Sequence, residues 1–148
     1  DPSATLIYSE IIVPGRVAMG ELFSYDICYL KTIGQNTEKK IKFIDNCMLK
    51  PKNQNMNTLG MFGNHTVLAS VYILTKNESA LILNKKINSI LKNNDEVSGG
   101  ATILPNNSGL LVRLMCNSSE IIKTEIYDIV RIVRKEILDA EFTDIRKT

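Results

Sequence analysis

The chain has 148 residues, 44% of them hydrophobic, which is enough to bury one apolar core, so we expect a single domain over residues 1–148. Its 18 basic and 16 acidic side chains leave a net charge of +2 and are scattered along the sequence, which argues against a nucleic-acid partner. No segment approaches the roughly 18 consecutive apolar residues that cross a bilayer, so we expect a soluble, cytoplasmic protein without membrane contact.

The first residues bear on the compartment and on the completeness of the chain, and the cysteines bear on whether disulfides form. Asp1-Pro2-Ser3 has neither the basic flank nor the apolar core of a signal peptide. Because the chain lacks an initiator methionine, we expect a fragment or a processed product of a longer protein. Cys28, Cys47 and Cys116 are odd in number and widely spaced, which indicates buried free thiols rather than a disulfide framework or a Cys-x-x-Cys site.

The first half of the chain predicts strands. Residues 5–13 are rich in β-branched side chains and end at Pro14-Gly15, which is typical of a strand followed by a turn. Apolar residues alternate with polar ones over residues 21–29, and a third strand is expected over residues 40–49. After a polar loop at 51–58, residues 66–74 are almost wholly apolar, which favours a strand covered on both faces.

The second half of the chain mixes two helices with a strand pair. Apolar residues from Ala80 to Leu91 recur at helical spacing, with Thr75 and Glu78 as a candidate capping box. Residues 97–104 and 109–116 predict two strands joined by a short loop. The clearest element is a helix over residues 119–139, whose apolar stripe consists of Ile122, Ile126, Ile129, Val130, Val133 and Ile137.

The order of these elements is β-β-β-β-α-β-β-α, without the strict alternation of a parallel doubly wound sheet. It predicts a β-rich α+β fold: a mainly antiparallel sheet of about six strands with two amphipathic helices, the second at the carboxyl terminus.

Catalytic motifs are scarce in the sequence. His65 is the only histidine, so a two-histidine mechanism or a histidine-rich metal site cannot be built within the chain. The chain has no Gly-x-Ser-x-Gly elbow, Walker A loop or Gly-x-Gly-x-x-Gly loop. His65 lies at a loop-to-strand boundary, where it is either an ordinary hydrogen-bonded imidazole or a transient metal contact.

One segment carries charges within apolar sequence. Glu10 lies in such a stretch, where an ionised carboxylate is costly without a cation or several donors, and Arg16 is the nearest candidate across Pro14-Gly15. We therefore predict that Glu10 and Arg16 pair, either as a structural ion pair or as part of a polar passage. Arg113, within another apolar run, needs a buried partner for the same reason.

Residues 8–10, Tyr-Ser-Glu, are followed at 14–21 by Pro-Gly-Arg-Val-Ala-Met-Gly-Glu, and together they resemble the pattern of the UreD/UreH family of urease accessory proteins. The likeness continues at residues 60–74 and 109–114 and in the terminal helix that contains Arg131 and Arg134. It covers most of the chain. Members of that family are considerably longer, so the resemblance implies a carboxy-terminal portion whose amino-terminal strands are absent.

The resemblance implies a non-catalytic scaffold in urease maturation. Such a protein binds urease apoprotein subunits together with UreF-type and UreG-type accessory proteins, and it assists nickel delivery without a tightly bound cofactor. The motif positions carried over are Tyr8, Glu10, Gly15, Arg16, Gly20 and Glu21. Among them, Glu10 and Glu21 are expected to act as weak oxygen contacts for nickel in transit.

Two other hypotheses remain open at this point. The first is an α+β enzyme or small-ligand domain with a pocket around Tyr8, Glu10 and Arg16, because buried charges also mark functional pockets. The second is a free-standing interaction module that uses the apolar stripe of the terminal helix. Dependence on partners separates both from an accessory scaffold.

Overall fold

A computed structural model describes residues 4–142 of the chain, so the expectation drawn from Asp1-Pro2-Ser3 lies outside the described residues. It confirms the predicted α+β class, with two helices and six strands in the expected order. The elements are β1 (Leu6–Ile12), β2 (Cys28–Gln35), β3 (Ile41–Leu49), β4 (Val67–Leu74), α1 (Asn77–Leu91), β5 (Ser98–Ile103), β6 (Leu110–Cys116) and α2 (Ser119–Leu138). Among the residues described, no helix has the length and apolar character that crossing a membrane requires.

The six strands form two antiparallel sheets. Four of them lie in the order β1-β4-β6-β5, while β2 and β3 form a separate two-stranded sheet. In the larger sheet Val71 pairs with Ser9 on one side and with Val112 on the other, so β4 is an interior strand. Successive side chains along β4, which point to opposite faces, are buried or half-buried, and this confirms the prediction that residues 66–74 form a strand covered on both faces.

The covered faces of β4 define three layers. Val67, Ala69, Val71 and Ile73 point toward the two helices and are buried in the main apolar core. Between them, Tyr72 packs with Phe43 of β3, and Leu68 lies against a second apolar cluster that contains Leu49. The helices therefore cover one face of the four-stranded sheet, and the two-stranded sheet covers the other.

The predicted strand over residues 21–29 is wrong in its bounds. Phe23 adopts a φ of 52°, which breaks the extended chain, and β2 begins only at Cys28. The prediction also ended at residue 29, whereas β2 continues to Gln35. In the structure Gly34 lies opposite Phe43, and a Cβ at this position would come within 2.1 Å of the Phe43 ring, so the glycine admits that ring.

Helix α1 begins without the predicted capping box. Its first helical residue is Asn77, Lys76 is the cap, and no side chain accepts a hydrogen bond from the first turn. Thr75 instead contacts Thr5, with 3.0 Å between the two hydroxyl oxygens. The helix therefore depends on its buried apolar face rather than on a cap for its stability.

Helix α1 also bonds to the edge strand β5 through an amide side chain. Asn88 Oδ1 accepts from the backbone N–H of Ala101 at 2.8 Å, and Asn88 Nδ2 donates to the Ala101 carbonyl at 2.9 Å. Asn84 Nδ2 donates to the same carbonyl at 2.9 Å. These bonds satisfy backbone groups that a neighbouring strand would otherwise pair.

Helix α2 agrees closely with the prediction. Ser118 caps it by accepting from the backbone N–H of Ile121, and Asp139 ends it with a φ of 46°. Four residues of the predicted stripe are buried in the core that β4 and β6 share: Ile122, Ile126, Ile129 and Val133. The hypothesis that this stripe is a free partner surface is therefore wrong, because the stripe is already packed within the chain.

Replacing Ile126 by Asp tests that packing. Ile126 is 6% exposed, so the aspartate buries a charge without a partner, and we expect the free energy of unfolding to fall by about 3 to 5 kcal/mol. Thr124→Asp introduces the same charge on the exposed side of the helix and serves as the control. Denaturant titration measures both, and equal stability of the two variants would contradict the assigned packing.

Candidate functional site

The segment after β1 folds into a compact turn, which we call the motif turn (residues 14–21). Pro14 bends the chain, and Gly15 follows with a φ of 127°, a conformation that favours glycine. A Cβ on Gly15 would lie 2.5 Å from the backbone carbonyl oxygen of Glu21, so the two arms of the turn touch there. Gly20, with a φ of 75°, ends a 3-10 helix of one turn, Val17–Met19. The two motif glycines thus make the turn possible.

Arg16 forms an ion pair within the motif turn. Its Nε donates to Glu21 Oε2 at 2.8 Å, and its Nη2 donates to Glu21 Oε1 at 2.7 Å. The hydrogen bonds from Arg16 hold the pKa of Glu21 below its usual value. The predicted pairing of Arg16 with Glu10 is wrong, because the turn brings Arg16 back to Glu21 rather than along the strand. Arg16 is also exposed, at 74% of its side-chain surface.

Glu10 has one partner on its own strand and one on β2 of the other sheet. The Tyr8 hydroxyl donates to Glu10 Oε1 at 2.8 Å, since the two side chains project from the same face of β1. Thr32 of β2 lies 3.5 Å from each carboxylate oxygen. The hydrogen bond to Glu10 raises the pKa of Tyr8. Tyr8 and Glu10 line a groove of about 320 Å3 next to β2, and Arg16 does not line it, so the predicted three-residue pocket is not assembled.

Three side chains form what we call the inter-sheet polar cluster: Asp45, Tyr72 and Arg113. Asp45 Oδ2 on β3 accepts from the Tyr72 hydroxyl of β4 and from Nη2 of Arg113 on β6, each at 2.6 Å. Burial and then the hydrogen bond to Asp45 raise the pKa of Tyr72 to about 12. The cluster joins the two sheets at their centre.

The sequence predicted that Arg113 has a charged partner, but not which residue that partner is. Arg113 does pair with a carboxylate, as its apolar surroundings require, although its side chain is 42% exposed rather than buried. Sequence reasoning missed Asp45 as that carboxylate. A signal existed, because the alternation that turns Phe43 and Cys47 toward the core also turns Asp45 to that face.

A small cavity separates Glu10 from the inter-sheet polar cluster. It measures about 10 Å3 and is lined by Glu10, Thr32, Asp45, Ser70 and Tyr72, among others. This volume is about that of one water-sized probe, so the polar groups of the two sheets nearly meet.

His65 lies at the loop-to-strand boundary where it was expected. Its Nε2 is 3.0 Å from Ser98 Oγ, and its Nδ1 is buried without a hydrogen-bond partner among the described residues. It shares no cluster with Glu10 or Glu21. Within residues 4–142, no group of three or more His, Cys, Asp or Glu side chains is placed to hold a metal ion. The three candidate nickel contacts therefore do not converge.

Comparison with known proteins gives one consistent family. A family model described as "UreD urease accessory protein" matches residues 1–147. A "Urease accessory protein UreD" of Cenarchaeum symbiosum is 32% identical over 147 residues, which cover 99% of this chain and 52% of that protein. A "Urease accessory protein UreD 2" of Brucella ovis is 31% identical over 145 residues, covering 97% of this chain and 48% of that protein. The chain thus spans about half the length of the curated relatives it matches.

Replacing Asp45 by Ala tests the inter-sheet polar cluster. The change leaves Tyr72 and Arg113 without their shared acceptor, so we expect the free energy of unfolding to fall by about 1 to 3 kcal/mol. Asp26→Ala is the control, because Asp26 pairs with Lys52 at the surface and should contribute less than about 1 kcal/mol. Denaturant titration that finds equal losses would mean that the cluster does not join the sheets.

Proposed function

The chain belongs to the UreD family of urease accessory proteins, and from that premise we propose that it acts in urease maturation as a non-catalytic scaffold. The match over residues 1–147 carries this proposal. In it, the chain binds urease apoprotein subunits together with UreF-type and UreG-type proteins, in the cytoplasm. The UreG-type GTPase supplies the nucleotide chemistry, and this chain supplies binding surface and a route for nickel.

The geometry supports scaffolding better than catalysis. A general acid–base site needs titratable groups that converge on one reacting atom. Here Arg16 is held by Glu21, Glu10 by Tyr8, and Asp45 by Tyr72 and Arg113. The charges are thus mutually satisfied within the chain, as in a structural framework, and the α+β enzyme with Tyr8, Glu10 and Arg16 in one pocket is the weaker hypothesis.

The motif turn supplies an exposed apolar surface for a partner. Val17 and Met19 are exposed there, and Leu22 is exposed directly after it. The turn borders a groove of about 710 Å3 that also includes Ser118 and Ser119 at the start of α2. The Arg16–Glu21 pair and the two motif glycines hold this surface in one shape, which lowers the entropic cost of binding. We assign it to the urease apoprotein, the protein that the names of the relatives specify.

Replacing Met19 by Asp tests the assigned surface. Met19 is 73% exposed, so the variant should remain as stable as the wild type while its co-purification with coexpressed urease apoprotein falls at least tenfold. Leu59→Asp is the matched control, since Leu59 is 98% exposed on a different loop. Equal retention of urease by both variants, or a loss limited to the UreF-type protein, would contradict the assignment.

Nickel handling in this proposal is transient. Imidazole is the side chain here best suited to nickel, and one isolated His65 with scattered carboxylates gives an incomplete ligand set. We therefore propose that Glu10, Glu21 and His65 are at most weak contacts for nickel in transit, and that no cofactor is tightly bound.

Isothermal titration of the purified chain with nickel measures this directly. We expect a dissociation constant on the order of micromolar or weaker, because a delivery protein must release its cargo and the ligand set is incomplete. His65→Ala should change the affinity by less than about tenfold, since the imidazole lacks further ligands around it. A tight stoichiometric nickel site that His65→Ala abolishes would favour storage or a metalloenzyme instead.

A further inference from the structure

Two of the three cysteines lie together between the sheets. Cys28 of β2 pairs with Leu49, and Cys47 of β3 pairs with Leu30, so the two thiols are diagonal neighbours on adjacent strands. Both are half-buried on the inner face of the two-stranded sheet, where they pack against the apolar cluster that contains Leu49. Cys116 is separate: it is buried in the main core, and its thiol donates to the Ser118 carbonyl at 3.0 Å.

The diagonal arrangement suits a bridging cation better than a disulfide. Diagonal neighbours across an antiparallel pair have Cβ atoms up to about 7 Å apart, whereas a disulfide needs about 3.5 to 4.5 Å. A metal ion with two metal–sulfur bonds of about 2.3 Å joins sulfur atoms up to about 4.6 Å apart. Adding the two Cβ–Sγ bonds reaches the diagonal separation without moving the strands. Both cysteines are free thiols in the structure.

A buried hydroxyl beside the thiols lacks a partner. The Tyr25 hydroxyl is buried and makes no hydrogen bond to any described residue. Tyr25 packs against the same apolar cluster as Cys28 and Cys47. A buried donor without an acceptor is costly, and a thiolate at Cys28 or Cys47 would supply that acceptor.

Met61 places a thioether in the same cluster as the two thiols. Cys47 and Met61 both line a groove of about 430 Å3 that opens to solvent. Arg113 lines it too. Burial raises the pKa of Cys47, and the positive charge of Arg113 opposes that shift. The groove gives an ion a path to the sulfur atoms, and Arg113 offsets part of the negative charge of a thiolate.

We propose that Cys28, Cys47 and Met61 form a binding site for a soft monovalent cation, Cu(I), with the Tyr25 hydroxyl donating to one thiolate. Thiolate and thioether ligands select Cu(I) over borderline ions, and nickel, which favours imidazole, finds none in this set. Each cysteine releases one proton to solvent on binding, so two thiols and Cu(I) give a bis-thiolate complex with a net charge of −1. This site is independent of the proposed role in urease maturation.

Competition for Cu(I) tests the proposal on the reduced, full chain under anaerobic conditions. The wild type should withdraw one equivalent of Cu(I) from a chromophoric Cu(I) chelator, while Cys28→Ser and Cys47→Ser should each weaken binding at least 100-fold. Cys116→Ser is the matched control and should bind like the wild type. Tyr25→Phe should weaken binding by about tenfold, because it removes a hydrogen bond to a ligand rather than a ligand. Circular dichroism checks that each variant is folded.

Two measurements on the wild type keep the proposal testable even where a variant fails to fold. X-ray absorption of the Cu(I) complex should show sulfur neighbours only, and nitrogen or oxygen neighbours would overturn the site. Equimolar nickel should leave the bound Cu(I) in place, and its displacement by nickel would mean that the thiols belong to the nickel route instead. A wild type that takes no Cu(I) from the chelator, or a Cys116→Ser variant weakened as much as Cys28→Ser, would also overturn the proposal.

Discussion

The fold depends on a single strand that must be apolar on both faces. Strand β4 pairs with β1 and β6 and packs against the helices through Val71 and its neighbours on that face. Its other face packs on the two-stranded sheet through Tyr72. Because one strand belongs to two interfaces, a polar side chain on either face needs a partner supplied by another layer. Ser70 and Tyr72 are the positions where the sequence places such groups.

At the interface between β4 and the two-stranded sheet, the polar groups have partners and are surrounded by apolar side chains. Phe43 stacks on Tyr72 at 5.8 Å between ring centroids on one side, and Leu49 and Phe62 fill the other. Asp45 lies between these clusters and accepts from Tyr72 and Arg113. Apolar burial supplies attraction without direction, whereas the shared carboxylate fixes how the two-stranded sheet is placed on the larger one.

Periodicity and local chemistry were sufficient to predict most of the architecture. The apolar run of β4 and the stripe of α2 are long, regular signals, and both elements form as expected. Strand β2 was misplaced because the alternation over residues 21–29 does not reveal the positive φ of Phe23, and the place of Gly34 within the strand depends on Phe43 of the neighbouring strand. Such a contact between strands is invisible in a local pattern.

For the candidate site, the sequence predicted that each charged side chain within apolar sequence needs a partner, but not which residue that partner is. An arginine at position 113 within apolar sequence had to find an acid, but Asp45 lies 68 residues away and is chosen by the packing of the sheets. The error over Arg16 has a different origin. Its partner Glu21 is only five residues away, and the positive φ of Gly15, together with the 3-10 turn after it, decides which acid it meets.

The Asn88 amide has a consequence for how this molecule meets other chains. By bonding both backbone groups of Ala101, it acts as a fragment of the strand that would otherwise lie beyond β5. Hydrogen-bonded extension of the sheet is thus blocked on that side at this point. At the opposite margin, β1 has β4 as its one strand neighbour within residues 4–142. The two margins of the four-stranded sheet therefore differ: at β5 the Asn88 side chain occupies the place of a further strand, whereas β1 has no such side-chain substitute among the hydrogen bonds of the described residues.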